Sequence, residues 1–455
     1  MTIKEIVRAQ HEFFESGQTR PVSYRKKQLK RLKKVLKANE EALYQAIYQD
    51  FSKSEFDTYS TELGLLYHEI DLAIKHLSSW SARERVSTNL ANLPGKSYII
   101  REPLGVSLVI GAWNYPYQLS LGPSVAAMAA GCTVVLKPSE LPACTSKEIA
   151  RLIDKAFDPK YFAVVQGGVD ETTELLDQKF DKIFFTGSTR VGKIVYQAAA
   201  RNLTPVTLEL GGKSPAIICA DAKLKITVKR LVWAKFLNAG QTCIAPDYVL
   251  VDRTVKARFL ELLKEEITSA HYDIVNGNYV QIINEANYER LANLIDKEKI
   301  VTGGAQIPAE RIIEPTVLGD IGFEDEVMQE EIFGPILPVI DFEELDEAIE
   351  KVKSLPRPLS CYVFTSNSRN RERVLTELSF GGGSVNDAVM HIANSNLPFG
   401  GVGSSGIGSY HGEYGFLAFS HQKSILERST WFEPNIKYYP QTKTKFWLIK
   451  KLFGL

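Results

Sequence analysis

Cysteine is scarce in this 455-residue chain: there are five, at 132, 144, 219, 243 and 361, with no C-x-x-C among them. No Cys/His set has zinc-finger spacing, and an odd count in a long chain does not make a disulfide framework. No metal is expected. A reducing compartment, the cytoplasm, is the expected location. Glycine and proline together make 51 of 455 residues, too few for a collagen-like or low-complexity protein. Net charge is missing as well. Fifty-four Lys and Arg cancel 54 Asp and Glu, so no global field points to nucleic acid as a partner. The N-terminus is charged from Lys4 onward and has no apolar core of the secretory kind. A membrane-spanning run is also lacking. Residues 104–136 carry no charge, but Asn114, Pro116, Gln118, Gly122 and Pro123 break the stretch, whereas a spanning helix needs about 20 predominantly apolar residues. The stretch reads as strand, loop, helix and strand.

What remains is a chain of ordinary composition, long enough for about three units of ~150 residues. Residues 24–85 have helical spacing, with Leu29, Leu32, Val35 and Leu36 on one face. The basic residues between them, Lys26 to Lys34, read as a solvated helix face because Glu40, Glu41 and Asp50 follow. From about residue 100, short apolar runs at 106–112, 133–136, 162–165, 183–186, 206–210 and 216–219 alternate with helix-length stretches such as 146–156 and 191–201. The pattern resumes with a strand at 248–251 and a helix at 255–269. Strands apolar on both faces, alternating with helices, predict parallel sheets covered on each side. Two α/β lobes in sequence follow. The tail at 445–455 is basic and aromatic, and too short to span a bilayer. Its composition suits a weak contact with a membrane surface, or packing on the fold or on a partner subunit.

Three elements carry chemistry. Gly401-Val-Gly-Ser-Ser-Gly406 spells G-x-G-x-x-G, but no strand precedes it, and the dinucleotide fingerprint requires one. It reads as a loop whose glycines permit close approach. The stretch 184–192, Phe-Phe-Thr-Gly-Ser-Thr-Arg-Val-Gly, is a better phosphate site, since a strand runs into a turn and a helix start. By spacing alone the better reading is an ordinary strand–helix turn with a Ser or Thr cap. Cys243 lies in a polar Gly-Gln-Thr-Cys turn, the setting of a reactive thiol, while the other four cysteines adjoin strand or helix patterns and read as packing residues. Glu209 sits between leucines before two glycines. Burial there would raise its pKa toward that of a general base; the alternative is a strand-end carboxylate in water or paired with Lys213.

Together with Pro-Leu-Gly-Val at 103–106, Trp-Asn-Tyr-Pro at 113–116, Lys-Pro-Ser-Glu at 137–140, Leu-Glu-Leu-Gly-Gly-Lys-Ser-Pro at 208–215, Glu-Ile-Phe-Gly-Pro at 331–335 and Leu-Pro-Phe-Gly-Gly-Val at 397–402, these elements resemble the NAD(P)-dependent aldehyde dehydrogenases. The match runs from about residue 100 to 425. The short N-terminal region and the 386–412 segment are similar to the class 3 branch, which acts on medium- and long-chain aliphatic and aromatic aldehydes, usually as dimers.

The resemblance implies an α/β, two-lobed fold: a Rossmann-like NAD(P)-binding lobe (1–85 and 104–209), a catalytic lobe (210–420), a small β oligomerisation arm (86–103 and 421–435) and a tail (436–455). It implies Cys243 as nucleophile, Glu209 as general base and Asn114, with the Cys243 N–H, as oxyanion donor. Lys137 and Glu140 would hold the adenosine ribose, Gly187, Ser188, Thr189, Arg190, Val191 and Gly192 the pyrophosphate turn, and Glu331 and Phe333 the nicotinamide ribose and ring. NAD or NADP is the implied cofactor, an aldehyde the substrate and a homodimer the assembly. Two alternatives stay open: a CoA-acylating aldehyde dehydrogenase, which the presence of Glu209 disfavours, and an inactive member with a binding role.

Overall fold

The computed structural model describes residues 1–454. Five α-helices and one π-helical turn open the chain, from Ile3–Glu15 to Gly64–Trp80. In the helix Val22–Lys37 the buried face holds Leu29, Leu32 and Leu36, and the lysines at 27, 30 and 34 face water.

The six-stranded sheet that follows builds the first lobe. Val106–Ile110, Thr133–Lys137, Phe162–Val164, Lys182–Thr186 and Val206–Glu209 run parallel, and Val106–Ile110 and Lys182–Thr186 are its central neighbours. The runs read from the sequence differ from these strands by one or two residues at their ends. Four of the five are buried along nearly their whole length, as helices on both faces require. The uncharged stretch resolves into strand, loop, the buried helix Pro116–Ala130, and strand.

The second sheet has seven strands. Pro215–Ile218, Tyr248–Asp252, Ile336–Phe342, Ser360–Phe364 and Gly382–Val385 are parallel within it, and Ile300–Thr302 pairs antiparallel at one edge. The expected catalytic lobe spans 210–420. Its last stretch returns to the first lobe, where Gly406–Ile407 pairs antiparallel with the edge strand Val206–Glu209. Uncovered, that edge would leave a row of backbone groups without partners. The glycines of the 401–406 loop serve this return, since a side chain at Gly406 would meet the Leu208 carbonyl and one at Gly401 the Ser405 carbonyl.

A third sheet stands apart. Glu84–Val86, Lys96–Pro103 and Ser420–Glu427 form an antiparallel ribbon with Lys96–Pro103 in the middle. The tail helix Lys443–Phe453 has no buried residue. Among the described residues no helix is long and apolar enough to cross a membrane.

Candidate active site

The switch from the first sheet to the second takes only the five residues between Glu209 and Pro215. That connection puts the carboxyl end of one sheet beside the other, the usual place for a ligand crevice in open α/β folds. A cavity of about 550 Å³ opens there. Among the residues on its wall are Asn114, Lys137, Glu140, Gly187, Ser188, Arg190, Val191, Glu209, Cys243, Glu331 and Phe333. Eleven of the thirteen residues singled out from sequence thus share one cavity. Thr189 and Gly192 stand just behind it, in the first turn of the helix Thr189–Ala200.

Cys243 is held by a strained turn. Asn238, Ala239 and Gly240 take φ of 55°, 51° and 72° in succession, a left-handed run that costs energy unless its surroundings fix it. Here they do. The Asn238 amide donates to the carbonyls of Asn114 (3.0 Å) and Gln241 (3.1 Å). The Gln241 amide donates to the carbonyls of Asn238 and Gln281, and its oxygen accepts from the Ile283 N–H. Gly240 leaves room for the Gly334 carbonyl, which any side chain would strike. The Asn114 amide donates to the Gln241 carbonyl at 3.1 Å, two residues from the thiol. The backbone N–H groups of Cys243 and Ile244 favour the thiolate. Burial, then the carboxylates of Glu331 and Glu209, push the thiol up to about 12. At rest it is protonated.

Glu209 ends the strand Val206–Glu209 and is 3% exposed, and neither carboxylate oxygen has a hydrogen-bond partner. Burial alone holds its pKa well above the usual carboxylate range. It is not paired with Lys213. That lysine instead binds Asp247 (2.5 Å) and the carbonyls of Val327 and Glu330. Asp247 in turn accepts from the Ile332 N–H at 2.9 Å, so the pair anchors the loop that carries Glu331 and Phe333. Burial, with Asp247 near, raises the Glu331 carboxyl to about 8. Gly211 admits that carboxyl, for a side chain there would collide with it. Phe333 (φ 51°) sets its ring edge-on to Trp113 at 5.3 Å.

The residues present fit a dinucleotide. Ser188 caps the helix Thr189–Ala200 at its N-terminus, where unpaired N–H groups and the helix dipole favour phosphate. Gly187 clears the Phe185 ring and Gly192 clears Leu210, so the turn lies close to the sheet. Lys137, nearly buried, pairs with the exposed Glu140 at 2.7 Å on the cavity wall.

Sequence reasoning missed the other chamber. A second cavity of about 350 Å³ is lined by Phe56, Leu119, Trp233, Val389, Ile392 and Phe399, among others, and Cys243 belongs to both walls. Its residues come from segments far apart in the chain and form no motif. All five cysteines are free; Cys132, Cys219 and Cys361 are buried as expected, whereas Cys144 is only half-buried at a helix start. No group of His, Cys, Asp and Glu able to hold a metal occurs among the described residues.

The Aldehyde dehydrogenase family model matches residues 1–425. Over 445 residues the chain is 45% identical to 4,4'-diaponeurosporen-aldehyde dehydrogenase of Staphylococcus aureus, covering 97% of each protein. It is 44% identical to the dimeric, NADP-preferring aldehyde dehydrogenase of Mus musculus, covering 97% of this chain and 98% of that one. The substrate-bound AldH of Staphylococcus aureus superposes with a TM-score of 0.97 at 44% identity over the whole of both chains. The aldehyde dehydrogenase of Mycobacterium tuberculosis complexed with NAD+ superposes at 0.85 with 26% identity, over 95% of this chain and 91% of that one. With the matched fold and one thiol shared by the two chambers, this chain belongs to the aldehyde dehydrogenase family and is an oxidoreductase that acts on aldehydes with NAD or NADP.

Proposed function

We propose that the protein oxidises medium- and long-chain aliphatic or aromatic aldehydes to carboxylic acids, with Cys243 as nucleophile. The observation that carries this reading is the position of Cys243 in the common wall of the two cavities. The apolar chamber suits a hydrocarbon chain or a ring, and its inner end brings the aldehyde carbon to sulfur. A nicotinamide held in the larger chamber would supply the hydride acceptor.

The Cys243 thiol gives up its proton to solvent and its sulfur bonds to the aldehyde carbon, leaving an oxyanion. The Asn114 amide and the Cys243 N–H are suited to stabilise that oxygen; one such donor contributes about 2.7–4 kcal/mol in comparable sites. Loss of hydride from that carbon leaves a thioester on Cys243. Glu209 then takes a proton from water, whose oxygen attacks the thioester carbon, and the acid departs as the thiol is restored. A carboxylate buried without partners is a stronger base than one in water, which supports this role. Lys137, Glu140, the 187–192 turn, Glu331 and Phe333 are proposed to hold the cofactor, with 1–85 and 104–209 as its lobe.

The free cysteines fit a reducing compartment, the cytoplasm. The exposed ribbon Glu84–Val86, Lys96–Pro103 and Ser420–Glu427 is the proposed homodimer arm, and the tail is read as a cover for the apolar chamber or a weak contact with a membrane surface. Steady-state assays over aldehydes from propanal to dodecanal and benzaldehyde, with NAD and NADP in turn, test the reading. Free acid as product, with kcat/KM rising with chain length, is the expected result. Acyl-CoA as the only product would establish the CoA-acylating alternative, and no cofactor reduction with any aldehyde the inactive one.

A further inference from the structure

Two charged side chains lie fully buried outside the chemistry described above. Lys53 and Glu62 are 1% and 0% exposed, and the ammonium meets one carboxylate oxygen at 2.7 Å. A buried ion pair is weak evidence for stability, since apolar replacement of both partners is often neutral. What each partner touches says more.

The helix Pro116–Ala130 begins two residues after Asn114, and its N-cap, Tyr115, makes no side-chain cap. The second Glu62 oxygen does that work from a distant segment. It accepts from the N–H groups of Tyr117 (2.8 Å) and Gln118 (3.3 Å), two of the donors a helix start leaves unpaired. Its negative charge also suits the positive end of the helix dipole. The Lys53 ammonium lies 4.2 Å from the centre of the Tyr115 ring. The Tyr115 hydroxyl reaches Thr242 Oγ1 at 2.5 Å, one residue before Cys243. Glu62 itself belongs to a π-helical turn, Tyr59–Leu63, and such turns recur at functional sites. Ser60, Thr61 and Leu65 around it line the apolar chamber.

We propose that the Lys53–Glu62 pair is a positioning device for the reacting centre. Glu62 fixes the first turn of the helix behind Asn114, and Lys53 holds the Glu62 carboxylate in place beside the Tyr115 ring. The Asn114 amide thereby keeps its aim beside Cys243. Both act through other residues and touch no substrate. The inference rests on the reading of Asn114 as an oxyanion donor.

A double-mutant cycle tests it. The variants K53M/E62Q and K53M/E62M both remove the ion pair, but only glutamine keeps an oxygen for the Tyr117 N–H. Each is made with Asn114 and with N114A, and kcat and KM for octanal, melting temperature and NAD affinity are measured. N114A alone should lower kcat by roughly 100- to 1,000-fold, as removal of one oxyanion donor does. K53M/E62M should lower kcat by roughly 10- to 100-fold, a fraction of that donor's worth, with KM for octanal and NAD affinity unchanged. K53M/E62Q should restore kcat to within about threefold, and in the N114A background the cost of K53M/E62M should shrink to about threefold, since residues acting as a unit are not additive. Should K53M/E62M fail to fold, K53M/E62N withdraws the oxygen by one methylene and should show the same loss. Equal losses with Asn114 and with N114A, or full kcat in a folded K53M/E62M or K53M/E62N, would overturn the proposal. An unchanged kcat in N114A would remove its premise as well, while leaving the assignment of Cys243 to be judged separately by C243A.

Discussion

A thiol with its pKa near 12 is a poor nucleophile in the resting cavity, and the cause lies in its neighbours. Burial is the largest cause of the shift, and the Glu331 and Glu209 carboxylates add to it. Well below that pKa the thiolate fraction rises tenfold per pH unit, so Cys243 alkylation by iodoacetamide should accelerate steadily from pH 7 to 10. E209Q removes one of the two negative charges that raise the thiol, so its alkylation curve should move to lower pH. A curve that stays put or moves to higher pH would contradict that electrostatic account. The same variant should slow turnover by roughly 100- to 10,000-fold, the usual contribution of a general base, and acyl-enzyme should accumulate in the mass spectrum of intact protein. C243A should abolish turnover while NAD binding, followed by quenching of protein fluorescence, persists. At this scale the sequence was informative where chemistry leaves a local mark. Glu209 between two leucines and Cys243 in a polar turn are both odd placements. Asn114 has no such mark, and only the family resemblance singled it out. Glu62 escaped because a glutamate in an amphipathic helical stretch reads as solvated, and its partners stand 55 and 56 residues away.

Strands and helices were legible because alternation of apolar runs with amphipathic segments is a periodic signal. The ends shifted by one to three residues, as at Lys182–Thr186 and Ala143–Ala156, where hydrogen bonding and not composition sets the limit. The long-range return of Gly406–Ile407 to the first sheet was not legible, because pairing with Leu208 and Glu209, 197 to 199 residues away, leaves no local pattern. The literal G-x-G-x-x-G has no strand running into it, and its glycines serve close backbone packing. The loops, then, are where glycine carries the specification, and Gly211 offers a test. Its missing side chain leaves the space taken by the Glu331 carboxyl. Adding a methyl to a filled site costs about 1–3 kcal/mol, and here the group displaced is a proposed cofactor ligand. G211A should therefore raise KM for the cofactor by about tenfold or more, with the melting temperature lowered by only a few degrees. A cofactor KM within twofold of the parent would show that Glu331 does not set affinity.

The molecule as a whole presents two features that its own core does not explain. The ribbon Glu84–Val86, Lys96–Pro103 and Ser420–Glu427 projects with both outer strands largely exposed, and an unprotected edge strand is a ready template for another chain. That is why the arm is the proposed dimer contact, and light scattering after size exclusion should give twice the 50.9 kDa of one chain. The tail helix Lys443–Phe453 is the other. Phe446, Trp447 and Phe453 are 59%, 58% and 74% exposed, more apolar surface than one short helix leaves in water without a partner. If the tail covers the apolar chamber, its removal strips contacts from the far end of a long substrate and leaves the reacting end untouched. Each methylene so exposed costs about 0.8 kcal/mol, and two of them about tenfold in kcat/KM. Removal of residues 436–455 should therefore lower kcat/KM for dodecanal by about tenfold, while propanal, too short to reach the entrance, changes by less than about twofold. Equal losses for both aldehydes would reject the cover. Unchanged kinetics with loss of sedimentation on anionic vesicles would instead assign the helix to a membrane surface, where five lysines without an acidic residue from 434 onward supply the attraction.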